Sequence, residues 1–232
     1  LANWRFNDLS SNGIITEEVS GNNLTVKHTS ESGFTASEAS LTLQVDENAV
    51  DGTIVGTVDG TDAERDALIA SLLAADPDLV YSTETGKFYK AVWGSTNWST
   101  ASASALTNQL NGVDGQLANI RSATEQEIAA TFSASGDLWI GATDATVEGE
   151  HRWTQDGAEA DQFWSGDGSG HSVDGAYSNW LSGRPDNTDG NQHYTFIRSD
   201  GYWNEEDAAH TENGYLVEWD ADEVLDANQA LT

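Results

Sequence analysis

Short runs that alternate apolar and polar residues open the chain. "NLTVKH", "SLTLQV" and "TIVGTV" repeat with a period of two, which predicts strands, and the polar turn "DENAVDG" between the last two predicts a hairpin. The period then lengthens. In "DAERDALIASLLAADPD", Ala63, Leu68, Ile69, Leu72 and Leu73 recur at helical spacing until Pro77 stops the run. A domain boundary is expected there, with residues 1–78 forming a β-rich module that ends in a helix and residues 79–232 forming a second domain. In the second domain "KFYKAVW" reads as a strand and is followed by a helix from about Trp98 to Leu110, with Ala103, Leu106 and Leu110 on one face. "GQLANI" reads as a short strand. "SATEQEIAATF" opens on a capping box, Ser122 accepting and Glu125 reaching back, with Ile128 and Phe132 as its buried stripe. After "LWIG" come about fifty Gly- and Trp-rich residues of little periodicity, a stretch too long for an ordinary connection and so expected to be a functional loop region. "YTFIR" and "NGYLVEW" close the pattern as strands. The class is α+β.

Composition makes this a folding chain: 38% hydrophobic residues, nine Trp and only two Pro support a core. Charge changes the picture more. Thirty-nine acidic against nine basic residues give a net charge of −30. Nucleic acid and anionic membranes are excluded as partners, because phosphate binding needs clustered Lys and Arg. Salt screens such repulsion and bound divalent cations cancel it, which points to seawater or an extracellular space. No cysteine is present, so disulfides, thiolate catalysis and Cys-based zinc sites are excluded. Cysteine-free chains belong more often to the cytosol, unless calcium staples a large surface protein. The chain opens at Leu1 and has no Met, which reads as a piece of something longer. It carries no apolar run long enough to insert in a membrane and no signal-peptide pattern.

Strand, helix, helix, "WIG", a long loop, "NW..GRPDN", "YWNE" and "GYLVEW" resemble, in that order, a C-type lectin-like domain over about residues 87–219. The disulfides of animal members are missing, and Tyr194 stands where a cysteine would. The resemblance implies a calcium ion held by a Glu-Pro-Asn or Gln-Pro-Asp triplet, a Glu eight residues after its first member, and a Trp-Asn-Asp triplet, with sugar hydroxyls completing the shell. Those positions fall on Arg184-Pro185-Asp186, on Gln192, and on Trp203-Asn204-Glu205, with Pro185 as the family's cis proline. Asp186, Asn204 and Glu205 keep ligand chemistry, and Gln192 is neutral. Arg184 has five donors and no acceptor, so it cannot ligate a cation. Turned inward, Arg184 forks onto Asp186 or Glu205 in place of calcium. Turned outward, it leaves calcium to Asp186, Asn187, Gln192, Asn204 and Glu205, with water or Asp189 filling the gap. A second calcium position in the family implies Asp144 and Glu148 as ligands, completed at Asn187 and near His193. The plain alternative is a polar turn starting at Asp144.

"VDENAVDGTIVGTVDGTDAERD" resembles the opening of a cadherin-type repeat, which implies calcium at Glu47, Asp62 and Glu64, although the helix that follows departs from that pattern. "NWRFND" is faintly similar to a laminin-G-type sandwich. Trp139, Trp153, Trp180 and Trp219 are expected in the core. Trp164 and Tyr202 are candidates to stack on a sugar face. His171, His193 and His210 lie near the site, where lone histidines are ordinarily hydrogen-bonders, so zinc is not expected. "DNTDGN" fails the EF-hand alternation. Glu205, Glu206 and Asp207 offer carboxylates for glycoside hydrolysis, but nothing sets the separation that chemistry requires. No serine elbow, phosphate loop or H-E-x-x-H is present, so no enzyme is expected.

The expected function is calcium-dependent carbohydrate binding by the lectin module of an extracellular bacterial surface adhesin of the repeats-in-toxin type. Its partners would be glycans or cell-surface glycoconjugates and neighbouring adhesin domains, in a setting such as cell adhesion or biofilm. Direct ligand contacts are expected at Arg184, Asp186, Tyr202, Trp164 and His193. The alternative is a lectin-like domain that binds protein, peptide or ice without calcium-bridged sugar.

Overall fold

The computed structural model describes residues 14–20, 23–29, 40–44, 63–155 and 157–227. The chain divides into two compact units, residues 1–61 and 62–232. The first contains an antiparallel meander of β1 (Ile14–Ser20), β2 (Asn23–Thr29) and β3 (Ser40–Gln44). "NLTVKH" and most of "SLTLQV" are thus strands as expected, and β1 is an addition. "TIVGTV", Glu47, Asp62 and the side chain of Glu64 lie outside the described residues.

Helix α1 (Ala63–Ala75) belongs to the second unit, not the first. The boundary expected after residue 78 therefore falls earlier. The reason is apolar: Leu68, Ile69, Leu72 and Leu73 pack against Phe88, Trp219 and Val224 of the second unit's core.

The second unit continues with β4 (Val80–Ser82), β5 (Lys87–Thr96), α2 (Trp98–Ala105), β6 (Gln109–Leu110), β7 (Val113–Asp114), β8 (Gln116–Leu117) and α3 (Ala123–Ser133). Then come β9 (Leu138–Thr143), β10 (Glu150–Gln155), β11 (Ala158–Ser165), β12 (His171–Ser172), β13 (Gln192–Ile197), β14 (Trp203–Asp207), β15 (Glu212–Asp220) and α4 (Ala221–Asp226). The main sheet runs β12-β11-β10-β9-β15-β5-β4, and β13 joins it through β9 and carries β14. Only β15 against β9 is parallel among these pairings.

Helix α2 is shorter than expected. Asn97 caps its start, accepting from the Thr100 amide at 3.0 Å. The helix ends at Ala105 and buries Trp98, Ala101, Ser102 and Ala105 rather than Ala103. It ends because Asn111 and Gly112, both at positive φ, close the β6–β7 hairpin, and Asn-Gly supplies that turn at little strain. The capping box of α3 forms as expected: Ser122 Oγ accepts from the Glu125 amide at 3.2 Å, and Glu125 Oε2 accepts from the Arg121 amide at 2.6 Å. Ile128 and Phe132 are only half-buried, while Glu125, Gln126, Ala129 and Ser133 form the inner face.

Two apolar clusters fill the unit. One lies around Phe88, Trp139, Val217 and Trp219 with the helices; the other joins Ile140, Trp153, Phe163, Trp203 and Leu216 beneath the long loops. Trp139, Trp153 and Trp219 are buried as expected, whereas Trp180 is half-buried. Gly141 of "WIG" needs its missing side chain, since a Cβ would stand 2.3 Å from Asn119 Oδ1. Tyr194 packs on Trp98 with ring centroids 4.9 Å apart, an apolar tie between α2 and β13.

Candidate functional site

The region expected to be one aperiodic loop is about a third strand. Residues 150–165 form the β10–β11 hairpin, and the irregular chain proper runs from about residue 173 to 191. Register shifts at Arg152 bend β10, so that His151, Trp153 and Thr154 all face inward while Arg152 faces out to Glu150 Oε2 at 2.7 Å. The loop is pinned at its middle to β14. Trp203 donates its amide to Asn179 O at 2.9 Å, and Leu181 donates to Trp203 O at 2.9 Å. Gly168 touches the loop backbone, leaving no room for a Cβ, which would lie 2.4 Å from Gly183 C.

From Gly183 the chain turns through a cis Arg184-Pro185 bond, as expected, into the oxygen-rich segment. Its donors are bonded largely to one another. Asp186 Oδ1 accepts from Arg184 Nη1 and from Thr188 Oγ1, the latter at 2.9 Å. Asn187, at φ 40°, donates its amide to Glu205 Oε1 and accepts at Oδ1 from the Gln192 amide at 2.9 Å. Gln192 Oε1 accepts from the Thr188 amide at 2.9 Å, and its Nε2 donates to Glu206 Oε2 at 3.0 Å. Strand β14 brings Asn204 and Glu205 opposite Phe196 and Thr195. Both are buried, and Asn204 Oδ1 and Glu205 Oε2 lack any hydrogen-bond partner. Asp186, Asn187, Gln192 and Glu205 are thereby brought together, with Asn204 adjacent on β14. Asp189 is exposed.

Behind Glu205 lies a second constellation. Asp144, at the end of β9, accepts at Oδ2 from the Gly149 amide at 2.8 Å, and its Oδ1 meets His193 Nδ1 at 3.0 Å. His193 Nδ1 also lies 3.4 Å from Glu148 Oε2. With carboxylates on both sides, the Nδ1–H tautomer is the one that bonds. Three of the four residues expected at the second calcium position, Asp144, Glu148 and His193, therefore meet, with His193 bridging the two acids, while Asn187 bonds Glu205 and Gln192 instead. Burial raises the Asp144 pKa, and it lifts Glu205 to about 7. His151, which no sequence pattern had singled out, sits between those two acids. Burial lowers its pKa to about 3, and the ring is neutral.

The aromatic candidates separate. Trp164 is half-buried and donates Nε1 to Gly166 O at 3.0 Å, so it pins the β11–β12 turn. Tyr202 is 46% exposed, but it sits in the turn joining β13 to β14, at the opposite end of that hairpin from Gln192. It is not brought to the oxygen-rich segment. His171 is exposed, and His210 lies 3.2 Å from Glu212 Oε1, both outside the cluster.

As a calcium site the donor set fits in part. The buried, partnerless Asn204 Oδ1, Glu205 Oε1 and the side-chain oxygens of Asp186, Asn187 and Gln192 suit a hard cation. The guanidinium on Asp186 withdraws one ligand.

These features have a family. The model of the Lectin C-type domain matches residues 94–216, and the chain belongs to that family. Halomucin of Haloquadratum walsbyi is 32% identical over 161 residues, which are 69% of this chain and 2% of halomucin. The low affinity immunoglobulin epsilon Fc receptor of Mus musculus is 30% identical over 93 residues, 40% of this chain and 23% of the receptor. The chain thus spans a small part of either relative. Among solved structures, the C-type lectin CEL-I from Cucumaria echinata superposes with a TM-score of 0.48 at 26% identity, covering 61% of this chain and 94% of CEL-I. No helix among the described residues is long and apolar enough to cross a membrane.

Proposed function

We propose that the domain recognises glycans through a calcium ion held by Asn204, Glu205, Asn187, Gln192 and Asp186, as one module of a long extracellular surface adhesin. The observation that carries this reading is the buried, partnerless Asn204 Oδ1 beside Glu205, whose Oε1 reaches the Asn187 amide, beneath a loop of oxygen donors. A buried acceptor left without a partner costs about 1–3 kcal/mol, and a bound cation removes that cost. When bound, calcium supplies open coordination positions for vicinal sugar hydroxyls. The chain's own work is positional. The Asn187 amide orients Glu205, and Thr188 and Asn187 hold Gln192. Arg184 and Asp186 pair at the rim, so calcium and the guanidinium compete for one carboxylate. The second position needs no ion in this reading, because His193 already joins Asp144 to Glu148. The long-adhesin context is supported by the small fraction of halomucin that the match covers and by the net charge of −30.

Calcium titration by calorimetry, followed by a glycan panel with and without chelator, tests this directly. Chelator is expected to abolish glycan binding, and glycan binding that survives it overturns the calcium mechanism. Arg184→Glu is expected to tighten calcium roughly tenfold or more, because it exchanges a competing cation for a ligand.

A second reading is favoured by the Arg184–Asp186 pair: the loop surface binds a protein, a peptide or ice directly, with the guanidinium in the place of calcium. Calcium-free binding unaffected by Arg184→Glu, with no glycan hit, is its signature.

A further inference from the structure

Three side chains face one another behind the loop, deep under its surface. His151 Nε2 lies 3.6 Å from Asp144 Oδ2 and 3.8 Å from Glu205 Oε2, and every one of the three residues is at most 1% exposed. These separations are too long for hydrogen bonds, which run at roughly 2.7–3.2 Å. Glu205 Oε2, the oxygen that faces His151 Nε2, has no hydrogen-bond partner. Buried polar groups are ordinarily paired, so a histidine and a carboxylate oxygen that meet without bonding require something between them. We infer that Asp144, His151 and Glu205 form an inner binding site for one borderline divalent transition-metal ion, zinc being the type case, and this site shares only Glu205 with the calcium position at the loop.

The spacing suits such an ion. Zinc bonds nitrogen and carboxylate oxygen at about 2.0–2.2 Å, and two such bonds at a tetrahedral angle set their ligand atoms about 3.4 Å apart. A small inward shift of His151 closes the difference. Ligand type points the same way: imidazole selects zinc and its neighbours, whereas calcium needs six to eight oxygens. The pocket cannot supply those, because the His151 ring is walled by Trp180 at 4.9 Å and Phe163 at 6.3 Å between centroids. Neutral imidazole is the form that ligates.

The supporting contacts are also present. His193 Nδ1 holds Asp144 Oδ1 at 3.0 Å, and the Gly149 amide holds Oδ2, which fixes the carboxylate that faces His151. Glu148, half-exposed His193 and buried Asp144 make a graded path from solvent to the pocket. Glu205 faces two compartments, with Oε1 toward the Asn187 amide in the loop and Oε2 toward the imidazole.

The test uses the whole chain, stripped of metal and titrated with zinc chloride in a fixed excess of calcium. One equivalent is expected to bind, and His151→Phe, which preserves ring packing, is expected to weaken it roughly tenfold or more. Circular dichroism checks that the variant is folded. If it is not, imidazole nitrogen NMR on the unaltered chain decides among the five histidines. Zinc is expected to shift His151 Nε2. No zinc uptake by the unaltered chain, undiminished affinity in folded His151→Phe, or a coordination shift on His193 in place of His151 would each overturn the proposal.

Discussion

A single hydrogen atom at Gly168 keeps the binding loop where it is. Its backbone lies against Gly183, one residue before Arg184, so a methyl group there must push the loop aside. Gly168→Ala is expected to cost about 1–3 kcal/mol in urea unfolding through overpacking, and to weaken calcium binding as well. At this scale the proposed ligand positions are legible in the sequence, because their spacing is a local property of the chain. Hydrogen bonds bring Asp186, Asn187, Gln192 and Glu205 together, and Asn204 precedes Glu205 on β14. Tyr202 was misplaced because exposure and a loop address do not say at which end of a hairpin a ring stands. His151 was missed for a different reason. In "GEHRW" it occupies an inward position of a period-two pattern, but the segment had been read as aperiodic, so no face was assigned to it. The bulge that turns Trp153 and Thr154 inward together hides that alternation.

Elements are joined here by charges as well as by rings. Lys87 Nζ on β5 reaches Glu125 Oε1 on α3 at 2.9 Å and Glu218 Oε2 on β15 at 3.0 Å, and both acids are buried. Removing the cation leaves two carboxylates without it in the interior. Lys87→Met is expected to cost about 3–5 kcal/mol in denaturant unfolding, far beyond a surface pair, and Lys87→Met/Glu125→Gln/Glu218→Gln to recover much of it. Helix starts were readable from Ser122 and Asn97, since capping is chemistry over three or four residues. The end of α2 was not, because the Asn111-Gly112 turn competes with a helical period that continues through Leu106 and Leu110. Assigning α1 to its unit required knowing which surface its apolar residues cover, and that surface is spread from Phe88 to Val224 along the chain.

For the molecule as a whole, the excess of carboxylates is the dominant electrostatic fact. A net charge of −30 on 232 residues makes the compact state repel itself, and screening relieves that repulsion. The thermal midpoint is therefore expected to rise steadily as sodium chloride is added. On the proposed function calcium is expected to raise it further at constant ionic strength, as an ion held by the folded state alone does. Scanning calorimetry separates the two: a midpoint indifferent to salt removes the charge argument, and one indifferent to calcium at fixed ionic strength removes the ion sites.

Trp180 stands with its ring 4.9 Å from that of His151 and its indole N–H unpartnered. That contact makes the chain its own optical probe. A coloured ion such as cobalt or copper in the inner pocket drains the excitation of a neighbouring indole, whereas colourless calcium at the loop does not. Quenching that fades in Trp180→Phe would report occupancy of the buried pocket by light alone.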